Sequence, residues 1–287
     1  MLAIAPSETA SRPPLIGQFV TVWSRKVHYH TSGSGPAVLL LHGNGSLGEE
    51  ILSSFARHHG LSWVAPDRPG YGLSEPLDKG HEDPGTMARW ALALMDALKL
   101  ERVTLVAHSI AAGAALCLAA RAPRRVGRLV LLAPFCRPTP HRWMLGLRLA
   151  VAPVIGKPVR RYVVPALLPL FRRRILEGML DPNPVPPWLS RFPIEHAARP
   201  RSIRTMAAEL RRFNEGMCRA ERRLNVSVPT TVLFGEADET APPSWHGPWL
   251  ARHVKALRVG RLAGVGHAVH HAAPRAALKA IRGKGQT

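Results

Sequence analysis

Val103-Thr104-Leu105-Val106-Ala107-His108-Ser109-Ile110-Ala111-Ala112-Gly113 runs from an apolar strand through a tight turn into an Ala-rich helix. A serine at such a junction, with small residues two positions before and two after, has the layout of a nucleophile elbow. The usual glycines are replaced by Ala107 and Ala111. Small side chains at both places keep the strained turn clear of its neighbours. Val103 to Ala120 is 18 residues long without a formal charge, near the lower limit for a membrane span. His108, Ser109 and Gly113 within it, and Pro123 just after it, favour a buried strand, a turn and a buried helix.

Outward from this stretch the same rhythm repeats. Ala37 to Leu41, Leu61 to Ala65, Leu129 to Ala133 and Thr230 to Phe234 are short apolar runs of the kind expected from strands buried on both faces. Leu257 to Leu262 reads as the last strand. Gln18 to Trp23 and Lys26 to Thr31 form a predicted hairpin at the start. Helices are predicted over Pro84 to Leu98, with Asp83 as its cap, and over Ser109 to Ala120, Ser244 to His253 and Pro274 to Ile281. Alternation of this type predicts an α/β fold, a largely parallel sheet covered on both faces.

From about Phe135 to Leu224 the rhythm breaks. Prolines are frequent, and helical fragments fit Trp143 to Ala150, Ala166 to Met179 and Arg201 to Met217. The expected organisation is a loose tail over residues 1–15, a core of residues 16–134 and 225–287, and a helical cap over 135–224 inserted after the sixth strand. Ligands of open α/β sheets bind beyond the carboxyl ends of the strands, where such an insertion covers them. Trp143 and Tyr162 suit either substrate contact or helix-core positions.

A serine hydroxyl needs a base, and the base a carboxylate, in the order Ser, acid, His. No aspartate or glutamate lies between Arg102 and Leu176. The strand ending at Phe234 leads into Gly235-Glu236-Ala237-Asp238-Glu239, whose turn carries Asp238 past the strand end; Glu236 and Glu239 are the alternatives. The last strand leads into Ala263-Gly264-Val265-Gly266-His267, with two glycines that free the backbone to deliver His267 as the base. His270 and His271 read as surface residues of the following helix. His42-Gly43-Asn44-Gly45 follows the Ala37 strand. The backbone N–H groups of Asn44 and Ile110 are the predicted oxyanion donors, and His42 is a structural residue of the loop. Asp67-Arg68-Pro69-Gly70-Tyr71-Gly72-Leu73-Ser74 is a sharp turn that shapes the pocket edge.

Taken in order, these segments resemble the α/β-hydrolase superfamily from about Phe19 to Ile281. The resemblance implies an eight-stranded, mostly parallel sheet, a Ser109-His267-Asp238 triad, and neither cofactor nor metal. Haloalkane dehalogenases and epoxide hydrolases are similar in fold but use an aspartate nucleophile, so Ser109 argues against both chemistries. The expectation is a serine hydrolase that cleaves an ester of a small or medium apolar substrate. Carbon–carbon bond hydrolysis, acyl transfer and non-enzymatic ligand binding are the alternatives on the same fold.

Composition narrows the partners. The 287 residues carry 39 Lys and Arg against 19 Asp and Glu, a formal charge of +20. Such a surplus favours anionic surfaces. No basic run is interleaved with aromatics, so no specific nucleic-acid partner is expected. The apolar segments Leu145 to Val151 and Tyr162 to Phe171, followed by Arg172-Arg173-Arg174, suit ordinary packing of the cap onto the core first, and otherwise the lining of an apolar substrate pocket or weak association with an anionic membrane. Cys117, Cys136 and Cys218 are too few and scattered for a disulfide framework or a zinc site, which with the absence of a targeting signal predicts a cytoplasmic setting.

Overall fold

The computed structural model describes residues 17–139, 145–189 and 192–283; the tail expected over 1–15 and Trp143 lie outside the described residues. Strands β1 (Gln18–Val22), β2 (Arg25–Ser32), β3 (Ala37–Leu41), β4 (Ser62–Pro66), β5 (Val103–His108), β6 (Val126–Leu132), β7 (Thr230–Gly235) and β8 (Leu257–Leu262) form one sheet. Its order is β1-β2-β4-β3-β5-β6-β7-β8. β2 is antiparallel to both its neighbours, and every pairing from β4 to β8 is parallel.

Burial on both faces explains the unbroken apolar runs. Leu39, Leu41, Leu105, Leu129 and Leu131 pack on one side of the sheet, with α2 (Pro84–Ala97) and α3 (Ala111–Arg121). Val38, Leu40, Val106, Val130 and Leu132 point the other way, onto Phe55, Trp63 and Ile281. The uncharged stretch of Val103 to Ala120 is thus β5, a turn and most of α3. Among the described residues no helix is long and apolar enough to cross a membrane.

Local signals act where they were read. The Asp83 carboxylate accepts from the N–H of Gly85 at 3.0 Å and of Thr86 at 3.2 Å, capping α2 behind Pro84. β6 begins three residues before its apolar run because β5 offers a ladder partner there, Val103 opposite Val126. The six-residue α1 (Gly48–Ser53) has no counterpart in the sequence reading, being too short to show a period.

Between β6 and β7 the chain forms α4 (Leu145–Val151), a single turn α5 (Gly156–Pro158), a π-type turn Val159–Val163, α6 (Val164–Leu180), α7 (Ile194–Ala197) and α8 (Pro200–Glu221). Leu168, Leu176, Leu180 and Phe192 of this stretch cluster with Leu47, Tyr71 and Ala268. Those three lie on loops after β3, β4 and β8, so the inserted helices sit over the carboxyl ends of the strands. Phe213 and Met217 of α8 are buried in the same cluster as α2 and α3. Tyr162 is neither core nor buried: it stands 66% exposed in the π-type turn. After β7 come α9 (Pro243–His253), α10 (Val269–Ala272) and α11 (Pro274–Arg282).

Candidate active site

β5 delivers Ser109 to the upper rim of the sheet with φ of +55°, the left-handed region. A side chain in that region carries strain of about 1–3 kcal/mol that surrounding bonds must offset. They do so on both sides: the Ser109 N–H donates to the Leu132 carbonyl at 3.0 Å, and its own carbonyl accepts from Ala112 and Phe135. Ala107 and Ala111 are both fully enclosed, which explains why nothing larger stands there.

Asp238 follows β7 and His267 follows β8; His267 reaches Ser109, and Asp238 reaches His267. The Ser109 hydroxyl donates to His267 Nε2 at 2.8 Å, across 158 positions of chain. His267 Nδ1–H donates to Asp238 Oδ2 at 2.8 Å. The other Asp238 oxygen accepts from the N–H of Thr240 and Ala241, each at 2.9 Å, which aims the carboxylate. Asp238 is buried, whereas Glu236 and Glu239 are exposed. An imidazole held between a hydroxyl and a buried carboxylate is the arrangement that activates an oxygen for attack on a carbonyl.

The β3 loop closes on the elbow. A Cβ at Gly43 would lie 2.9 Å from His108 Nδ1 and 3.2 Å from the Ser109 Cβ, so only glycine lets the loop come this near. Among the described residues, neither the Asn44 nor the Ile110 N–H donates to a protein acceptor. The Asn44 side chain turns away, donating to Glu209 at 2.8 Å and Tyr71 at 3.1 Å. His42 holds the loop from within: Nδ1–H donates to the Gly43 carbonyl at 2.8 Å and Nε2 accepts from the Arg68 N–H at 2.9 Å. Burial pushes the His42 imidazole down to about 4, which keeps it neutral.

The Asp67 to Ser74 turn contributes an ion pair that no motif announced. The Arg68 guanidinium is buried against Glu209 of α8 and also donates to the Gly43 carbonyl at 3.0 Å. Tyr71 donates to the same glutamate at 2.7 Å. Burial alone would raise the Glu209 carboxyl, but Arg68 and the donated hydrogen bonds hold it below its ordinary value. α8 is thereby fastened to the loop that carries the expected oxyanion donor. Nothing in the sequence pointed to Glu209, which sits among arginines on a helix and reads as part of a solvated face.

His270 and His271 correct the sequence reading: both are buried, not exposed. α10 folds against α1, where Glu50 meets His270 Nε2–H at 2.9 Å and also accepts from His271 Nε2–H. Ser46 donates to the second Glu50 oxygen at 2.7 Å. Burial opposes the charge on Glu50, yet the two imidazoles hold its carboxyl well below the usual range. These three side chains have the atom types of metal ligands, all within 4.8 Å of one another. The Nε2–H of each imidazole serves the carboxylate and His271 Nδ1 meets the Ser54 hydroxyl at 2.6 Å, whereas His270 Nδ1 is buried without a partner among the described residues. His108 stands between it and the triad, 4.5 Å from the His270 ring and 4.9 Å from that of His267, and donates to the His267 carbonyl at 3.1 Å.

The inserted segment also reaches the loop that carries His267. After α6, Asn183 Oδ1 accepts from the Gly266 N–H at 2.9 Å and its amide donates to the Gly264 carbonyl at 2.8 Å. A Cβ at Gly266 would meet the Asp181 carbonyl at 1.9 Å, so this glycine serves close approach.

A family model described as the alpha/beta hydrolase family matches residues 38–280. The 2-hydroxymuconate semialdehyde hydrolase of Pseudomonas putida is 36% identical over 126 residues, 42% of this chain and 43% of that protein. The 2-hydroxy-6-oxo-6-phenylhexa-2,4-dienoate hydrolase of Comamonas testosteroni is 33% identical over 114 residues, 38% of this chain and 40% of the relative. The aligned stretch therefore spans less than half the length of either relative. Among solved structures, Cfl2 of Burkholderia cenocepacia superposes with a TM-score of 0.74 at 20% identity, covering 93% of this chain and 94% of the other. The meta-cleavage product hydrolase CumD of Pseudomonas fluorescens gives 0.66 at 19%, over 93% and 97%. With its sheet order, its site at the carboxyl rim and a family match over most of its length, the chain belongs to the alpha/beta hydrolase family.

Proposed function

We propose that the protein is a serine hydrolase that cleaves an ester of a small or medium apolar acyl compound. The observation that carries this reading is the continuous relay from Ser109 Oγ through His267 to Asp238, with both links at 2.8 Å. In the first half-reaction His267 Nε2 takes the hydroxyl proton as Ser109 Oγ bonds to the acyl carbon. The N–H groups of Asn44 and Ile110 receive the negative charge on the carbonyl oxygen. The alcohol leaves with the proton returned by His267, while Asp238 steadies the imidazolium. Water then gives a proton to the same nitrogen, adds to the acyl carbon and releases the acid, and Ser109 regains its hydrogen.

A neutral acyl substrate is favoured by the electrostatics. Arg68, the one buried arginine among the described residues, is paired with Glu209, so that pair brings no net charge to the site. A second reading, hydrolysis of a carbon–carbon bond beside a ketone, is favoured by the relatives named for 2-hydroxymuconate semialdehyde and for a 6-oxo-dienoate. The same nucleophile and base serve it, with carbon instead of oxygen as the leaving atom.

Labelling with a fluorophosphonate tests the shared chemistry: the wild type should be modified at Ser109 and Ser109→Ala should not. A panel of p-nitrophenyl esters of graded acyl length, run beside 2-hydroxy-6-oxo-6-phenylhexa-2,4-dienoate, separates the two bonds. Turnover of esters with none of the dienoate supports the first reading, and the reverse pattern replaces it with the second.

A further inference from the structure

We propose that the outward side of α6, with the turns leading into it, is a docking face for an anionic lipid bilayer. α6 has two apolar sides. Leu168, Leu176 and Leu180 face inward and pack with Leu47, Tyr71 and Ala268. On the other side Val163, Leu167, Leu170, Phe171 and Ile175 recur at i, i+4, i+7, i+8 and i+12, which is one stripe of a helix. All five are exposed, Leu170 at 76%, and Val154 in the approach to the helix stands at 86%. Apolar side chains gathered along one stripe mark an interaction surface, unlike single ones scattered over a protein.

Charge selects the occupant. Between Glu101 and Glu177 the chain contains no acidic residue, while Arg148, Lys157, Arg160, Arg161, Arg172, Arg173 and Arg174 all lie between Leu145 and Leu176. Arg172 and Arg173 pair with Glu195 and Glu177. Arg148, Lys157, Arg161 and Arg174 are exposed and meet no carboxylate among the described residues. An apolar stripe that includes Arg174, with further unpaired cations on the turns before it, matches a surface of anionic headgroups over acyl chains. A second copy of this chain suits it poorly, because a two-fold contact would set these arginines against their own equivalents. With three consecutive arginines at its centre, α6 fits along the interface and not through it. Its inner side rests beside Ala268, the residue after His267, so docking would hold the triad one helix diameter, about 10 Å, from the lipid.

Vesicle co-sedimentation of the full chain tests this directly. Vesicles of phosphatidylcholine doped with phosphatidylglycerol should retain the protein, vesicles of phosphatidylcholine alone should retain far less, and added salt should release it. The pair Leu170→Asp with Phe171→Asp should weaken retention by about tenfold or more, with the melting temperature and hydrolysis of a water-soluble ester unchanged. Arg148→Glu with Arg174→Glu should abolish the preference for phosphatidylglycerol. Absence of retention on either vesicle, or retention indifferent to both pairs, overturns the proposal. So does a dimer in sedimentation equilibrium that Leu170→Asp splits, since the face would then belong to a second copy.

Discussion

Asn183 grips Gly266 from outside the sheet: the side-chain oxygen that ends α6's excursion accepts the N–H immediately before His267, at 2.9 Å. The backbone beside His267 is therefore held partly by the inserted segment. Asn183→Ala leaves that N–H and the Gly264 carbonyl without their partner, a loss of about 1 kcal/mol. The expected result is a kcat lowered on the order of tenfold, as loosened positioning of a base produces, with little change in KM for a short ester. Steady-state kinetics beside a thermal melt check it, and an unchanged kcat would show the grip to be incidental.

The triad itself makes the sharpest prediction. Asp238→Asn keeps the shape of the acid but removes the charge opposite His267 Nδ1, so kcat should fall by about 10⁴-fold. Ser109→Ala should abolish burst release of alcohol while leaving the far-ultraviolet circular dichroism intact. An Asp238→Asn enzyme within tenfold of wild type would move the acid to another residue.

Arg68 and Glu209 are each buried, so removing one strands the other. Glu209→Ala should destabilise the protein by about 3–5 kcal/mol, measured by urea unfolding. Replacing both, Arg68→Met with Glu209→Leu, should restore much of that stability, because the cost lies in the unpaired charge. Activity should not return in the double variant, since Arg68 also holds the Gly43 carbonyl. Simple additivity of the two single effects would rule out the coupling.

Acid should weaken the fold through its buried imidazoles. Burial holds His42 at about 4 in the folded chain, against 6.5 when unfolded. Between those values the unfolded chain binds the extra proton, so the contribution is complete above about 6.5 and is lost as pH falls toward 4. From about pH 7 to pH 5, His42 alone removes about 2 kcal/mol. His271, pushed down to about 4 mainly by burial, acts in the same direction. Urea midpoints at both pH values measure the loss, and His42→Gln should flatten the slope. A slope unaltered in that variant would assign the acid sensitivity elsewhere.

What could be read in advance divides along a physical line. Ser109, Asp238 and His267 each sit on a turn whose chemistry is local: a strand entering a helix, Gly-x-x-Asp, Gly-His. The central strands were legible because burial on both faces leaves no charge to interrupt their apolar runs, whereas β8 carries Arg258 and Arg261 on exposed positions. Glu50 with His270 and His271 was not, because the contact joins residues 220 positions apart through a helix too short to show a period. Glu209 was hidden by its neighbours, since an acid among arginines on a polar helix face looks solvated until Arg68 arrives from another loop. Gly266 was read as a source of backbone freedom, whereas its hydrogen makes room for the Asp181 carbonyl.

The chain departs from the sheet after β6 and returns at β7, before Asp238, so a single contiguous block of sequence roofs the rim where Ser109 and His267 meet. Exchange of that block between related scaffolds would leave Ser109, Asp238 and His267 in place but would also replace Glu209, the partner of Arg68. The junction at Asn183 limits this freedom: a graft lacking an equivalent side chain would import a new roof and unfasten the imidazole together with the old one.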